Sequence, residues 1–93
     1  MGKLGNVWER VANAADLATE PRPGVPLVEL AGDGRVLIEN HHGVTQYSPD
    51  EICVRVCYGS VLVAGNRLEI AYMSKERLII TGVIECLRLI HRR

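Results

Sequence analysis

Phenylalanine is absent from this chain of 93 residues, and tryptophan occurs once, as Trp8. With three tyrosines as the remaining aromatic side chains, a core has to be assembled from Val, Ile and Leu, which suit pleated sheets better than helices. An excess of charge of either sign is missing too. Eleven basic residues balance eleven acidic ones, so there is no bulk drive toward nucleic acid or anionic lipid. Cysteines are few and odd in number (Cys53, Cys57 and Cys86), with no C-x-x-C spacing. That pattern argues against a disulfide framework and fits a reducing cytoplasm, where Cys packs as a small apolar residue. No apolar run approaches the length of a membrane span. Lys3, Glu9, Arg10 and Asp16 interrupt the region where a signal peptide needs an unbroken apolar stretch.

What is present reads as one small domain with an N-terminal attachment. Leu4, Val7, Trp8, Val11, Ala15 and Leu17 fall at helical spacing and predict a short amphipathic helix over residues 4–18. Pro21, Pro23 and Gly24 forbid its continuation, and Thr19 to Pro26 reads as an extended, Pro-rich linker. We therefore divide the chain into residues 1–24, helix and linker, and residues 25–93, a β domain. A helix this short is marginal alone, so its stripe needs the domain's own sheet, a partner or a bilayer interface to cover it.

From residue 27 onward the apolar runs are strand-length and bounded by Gly, Asn or charged pairs. Leu27 to Leu30 ends at Gly32-Asp33-Gly34, a hairpin signal. Arg35 to Asn40 and Val44 to Tyr47 predict a second hairpin across His41-His42-Gly43. Ile52, Val54, Val56 and Tyr58 alternate with Cys53, Arg55 and Cys57, as in a half-buried strand. Turns are expected at Tyr58-Gly59, Gly65-Asn66, Ser74-Lys75-Glu76 and Gly82. A faint echo links Leu62-Val63-Ala64-Gly65 with Ile79-Ile80-Thr81-Gly82 and predicts two similar hairpins. The whole predicts an all-β domain: a small antiparallel β-sandwich or rolled sheet of about seven to eight short strands with a short N-terminal helix. A short stacked β-solenoid is the alternative.

Residues that carry chemistry are sparse. His41 and His42 invite a metal or proton-transfer reading, but neighbours on a strand point to opposite faces, so they read as turn and edge residues. Cys53 and Cys57 share a strand face more than about 10 Å apart, too far to grip one zinc. Ser48, Ser60 and Ser74 sit beside turn signals and outside any nucleophile motif, and no phosphate-binding glycine loop occurs. Tyr47, Tyr58 and Tyr72 are scattered among mixed charges, unlike a nucleic-acid platform. We expect no enzyme, no catalytic residue, no metal and no cofactor.

One segment carries a resemblance. Ile38-Glu39-Asn40-His41-His42-Gly43, followed by Tyr47-Ser48-Pro49 and the alternating strand Ile52 to Val56, resembles the YabP/YqfC family of sporulation proteins and is closer to its YqfC branch. The order of parts, helix, Pro-containing linker, then paired strands ending in Gly, is also similar, and the resemblance covers about residues 25 to 90. It implies a non-enzymatic protein of endospore-forming bacteria, made in the mother cell and needed for efficient spore formation. Members of the YqfC branch are typically encoded beside a larger membrane protein of the YqfD type, so the resemblance implies a cytoplasmic interaction module held at the forespore membrane by that partner. Leu4, Val7, Trp8 and Val11 of the helical stripe, and Glu39, Asn40, His41, His42 and Gly43 of the turn, are the expected contacts. His42 stands where the family's turn carries Arg, which implies a weaker or pH-dependent contact there. Exposed sheet edges offer a third contact route, by strand addition or as a homo-oligomer, and no nucleic-acid partner is expected. Two other classes remain open: a self-assembling structural component of the spore envelope, and a small metal- or ligand-binding β domain using the histidines and cysteines.

Overall fold

The computed structural model describes residues 24–92, and the predicted helix, with Leu4, Val7, Trp8 and Val11, lies outside them. The described chain contains no helix. It forms β1 (Leu27–Ala31), β2 (Arg35–Glu39), β3 (Val44–Tyr47), β4 (Glu51–Val56), β5 (Gly59–Met73) and β6 (Arg77–His91). One sheet contains all six in the order β1-β2-β6-β5-β4-β3, and every neighbouring pair is antiparallel. The parallel coils of a solenoid are therefore ruled out for these residues, and the all-β antiparallel expectation holds.

The turns follow from their residues. Gly32 takes φ +58° between β1 and β2, a conformation that costs an L side chain. Ser48 and Glu51 exchange backbone hydrogen bonds across Pro49-Asp50, and the Ser48 hydroxyl accepts a further one from Glu51 N–H. Ser74 closes the β5–β6 turn in the same way, its hydroxyl accepting from Arg77 N–H.

The strands number six because two turns expected from the sequence are bends inside long strands. At Gly65-Asn66 and at Gly82 the chain does not reverse; β5 and β6 continue through with irregular register. A Cβ on Gly65 would collide with the Val83 carbonyl, and one on Gly82, at φ +136°, would lie 2.6 Å from the Arg67 carbonyl oxygen. Only glycine lets the two backbones approach this closely. Each bend also receives a hairpin tip. The Gly82 and Ile84 amides donate to Gly34 and Asp33, while those of Gly65 and Leu68 donate to Asp50 and Pro49. The echo in the sequence is thus two equivalent bends. One half-sheet reads β1-β2-β6-β5 and the other β3-β4-β5-β6.

The bends fold one half over the other. Asn40 N–H donates to the Glu76 carbonyl (2.7 Å) at the start of β6. Two residues later His42 N–H donates to the Arg55 carbonyl (2.7 Å), and Arg55 pairs through Ser60 to Ile90 at the far end of β6. In a straight strand Arg77 and Ile90 would stand about 40 Å apart, whereas three residues of chain reach about 10 Å. The sheet must double back. The inward faces then meet in one apolar core that contains Val36, Ile38, Leu78, Ile80 and Leu68 of one half and Ile52, Val54, Val56, Val61, Val63 and Ile84 of the other. The alternation read along Ile52, Val54 and Val56 is the buried side of β4.

The hairpin expected between β2 and β3 is absent. β2 pairs with β1 and β6, and β3 pairs with β4, so residues 40–43 carry the chain from one half to the other. A short polar, Gly-containing gap between alternating segments has the same local signature in both cases. The partner each strand finds elsewhere decides between them.

Candidate functional site

The crossover at residues 39–43 contains five of the residues expected to meet a partner, and most of them have work inside the molecule. Glu39 Oε2 accepts from Arg77 Nε (3.1 Å) and Nη2 (2.8 Å) at the surface, and this carboxylate raises the Arg77 pKa further above its ordinary value. Asn40 takes φ +62°, which Asn tolerates better than most residues, and its Nδ2 donates to the Val25 carbonyl (3.0 Å), fixing the segment that leads into β1. Gly43, at φ +115°, accepts from Arg55 N–H (2.8 Å).

His41 is the buried polar residue among the described ones, 6% exposed. Its Nδ1 accepts from Gly43 N–H (3.0 Å), and its Nε2 lies 2.8 Å from the Ser74 carbonyl. An N–H can only donate and a carbonyl can only accept, so the ring takes the Nε2–H tautomer. Ser74 belongs to the β5–β6 turn in one half, and Gly43 is tied to β4 in the other. The imidazole therefore clasps the open end of the fold. His42 points outward and is exposed, so opposite sides were read correctly for this pair, but a buried clasp was not foreseen.

The cysteines do not gather. Cys53 is half-buried, whereas Cys57 and Cys86 are exposed rather than packed in the core, and all three are free. Among the described residues no three His, Cys, Asp or Glu side chains come close enough to hold a metal ion. No helix there is long and apolar enough to cross a membrane.

Sequence reasoning missed one pairing altogether. Tyr58 and His91 stack with ring centroids 4.2 Å apart and planes 14° from parallel. The cause is register: Gly59 pairs with His91, and the Tyr58 carbonyl accepts from Arg92 N–H (2.8 Å). Burial, and then the neighbouring Cys57 thiol, raise the Tyr58 pKa above 10.0. No local signal marks residues so far apart in the chain as neighbours.

Shallow clefts open on the surface of the described residues, among them two beside sheet edges. One, of about 290 Å³, is lined by Glu29, Leu30, Ala31, Arg35 and Leu37 beside β1; the other, of about 470 Å³, by Tyr47, Pro49, Arg67, Leu68 and Glu69 beside the β5 bend. Neither brings together a nucleophile with an oriented base. What the surface offers is apolar side chains near sheet edges: Leu27, Leu30, Tyr47, Tyr72, Met73, Leu89 and Ile90.

Comparison with known proteins agrees with the architecture-level resemblance. The model of the YabP family matches residues 25–93, the whole β domain. An uncharacterized protein YqfC of Bacillus subtilis (strain 168) is 22% identical over 78 residues, covering 84% of this chain and 84% of that protein. No solved structure matches significantly.

Proposed function

The chain belongs to the YabP family, and from that premise we propose that it is a non-enzymatic sporulation protein acting in the mother cell during endospore formation. The family match across the full β domain carries this reading. We place the protein in the cytoplasm, held at the forespore membrane as an interaction module of a larger membrane protein of the YqfD type. Four of the five crossover residues serve the fold, which leaves the exposed His42 imidazole as the crossover group available to such a partner; the stripe of Leu4, Val7, Trp8 and Val11 is the second contact in this reading. Timed fluorescence microscopy of a functional fusion, expressed from its own promoter in a sporulating host, tests the reading. The expected signal appears in the mother cell and rings the forespore. Constitutive, diffuse signal in vegetative cells would sink it.

Replacing Trp8 with Glu places a charge in the apolar stripe and is expected to weaken co-purification with the membrane partner, with circular dichroism of the variant checking that the β domain stays folded. Unchanged co-purification refutes docking through the stripe. His42→Ala is the companion test for the crossover. An envelope-building role is the second reading, favoured by the exposed apolar side chains at sheet edges. It requires concentration-dependent polymers rather than a small closed species.

A further inference from the structure

The bend gives β6 different neighbours along its length. Its first stretch lies between β2 and β5. The Ile84 amide still reaches the Asp33 carbonyl (2.7 Å), but beyond it only β5 pairs with the strand among the described residues. Among the described residues, 85–91 are thus a sheet edge with no strand on its outer side. Arg92 N–H points inward, to the Tyr58 carbonyl. By alternation Ile90 and Arg88 also turn their backbone groups inward, and Leu87, Leu89 and His91 turn theirs outward. Leu89 is 54% exposed and Ile90 39%, so both faces of the edge carry uncovered apolar surface.

The other edges are guarded. β1 is five residues long and follows Pro26; β3 is four residues long and bulged between Val44 and Gln46. The late stretch of β5 is irregular between Asn66 and Glu69 and again between Ile70 and Tyr72. From Cys86 to His91, β6 has regular pairing and contains neither Pro nor Gly. A regular edge that exposes Leu89 and Ile90 in this way can recruit another strand, with Glu85 and Arg88 restricting which registers it accepts.

We propose that this edge is a homodimer interface, in which β6 pairs antiparallel with β6 of a second copy about a two-fold axis centred on Leu89. Charge selects the register. Centring on Arg88 sets two guanidinium groups directly opposite each other, and centring on Ile90 sets Arg88 opposite Arg92. Centring on Leu87 sets Leu89 against the Glu85 carboxylate and leaves the His91 backbone unpaired. Centring on Leu89 brings the two Leu89 side chains together, lays Arg88 beside Ile90 and Leu87 beside His91, and pairs every outward backbone group from Leu87 to His91. The second half-sheets of the two copies become one continuous sheet whose outermost strands are the short, bulged β3 strands. Growth stops there, so the product is a closed dimer.

The test is sedimentation velocity of the full chain over a concentration series, with Cys53, Cys57 and Cys86 replaced by Ser. A reversible dimer is expected. Leu89→Lys, which sets two ammonium groups on the axis, should weaken it about tenfold or more with an unchanged circular dichroism spectrum. In the same background Leu89→Cys should oxidise to a disulfide-linked dimer, because directly opposed residues in a hydrogen-bonded pair lie about 5.5 Å apart between Cα atoms. A monomer at every concentration overturns the proposal. So does a polymer, or a dimer that Leu89→Lys leaves intact.

Discussion

Replacing His41 with alanine should lower the unfolding free energy by about 3 kcal/mol, measured by urea denaturation followed by circular dichroism. The residue is 6% exposed, so truncation strands two backbone groups where water has little access: the Gly43 N–H and the Ser74 carbonyl. An unsatisfied buried polar group costs about 1–3 kcal/mol, and here there are two. It also releases the tie between the β5–β6 turn and the strand that follows the crossover. Conservative variants separate the parts. Asn restores an acceptor near the Nδ1 position and should recover the Gly43 bond, while Gln carries a donor far enough to reach Ser74. Each should recover part of the loss. A domain of this size has about 5–10 kcal/mol in hand, so the alanine variant should be visibly less stable yet still folded. If alanine costs no more than an ordinary surface substitution, the clasp is not holding the halves together.

Gly65→Ala is expected to be worse, with a loss of more than about 3 kcal/mol or failure to accumulate as folded protein. The new methyl group meets the Val83 carbonyl, a backbone atom that can retreat only if β6 leaves β5 at the bend. Leu68 sits just beyond this point with its amide bonded to Pro49, so the shift would also undock the β3–β4 hairpin tip. Gly32→Ala provides the control. Its φ of +58° makes alanine strained, but nothing lies within 4 Å of the added Cβ. That variant should lose about 1 kcal/mol. Denaturation midpoints of the two variants, compared directly, separate close approach from backbone strain. Equal losses would mean that the bend is not tight.

These two positions show what could and could not be read along the chain. Ile52, Val54 and Val56 were legible because a strand with one buried face writes its period of two into the sequence. Ser48-Pro49-Asp50 was legible as a turn because those residues close it with their own local hydrogen bonds. Gly65 and Gly82 were visible as interruptions but read as reversals. A glycine after an apolar run looks the same whether the chain turns back or only bends, and the difference lies in whether the neighbouring strand continues alongside. His41 was visible as one of a polar pair, yet its burial depends on Ser74, which only the folded-over sheet brings near it. The family resemblance rested on this same stretch, Ile38 to Gly43, whose residues are largely occupied in joining the two halves. That stretch is therefore a marker of the fold, because its conformation is what carries the chain between the halves.

By itself the sequence determined the class of the protein: a core of aliphatic residues on alternating positions, tight turns at polar and glycine-rich gaps, no span-length apolar run, and the YabP family pattern. These are local properties, set by side-chain period, backbone permissiveness and composition within a few residues. The tertiary structure alone decided that β2 and β3 part company, that β5 and β6 each serve both halves, that His41 is buried, and that residues 85–91 are left as an edge. Those outcomes depend on which strands meet across long stretches of chain. Hydrogen bonding between strands and burial of the shared core fix such meetings, and no short run of residues records them.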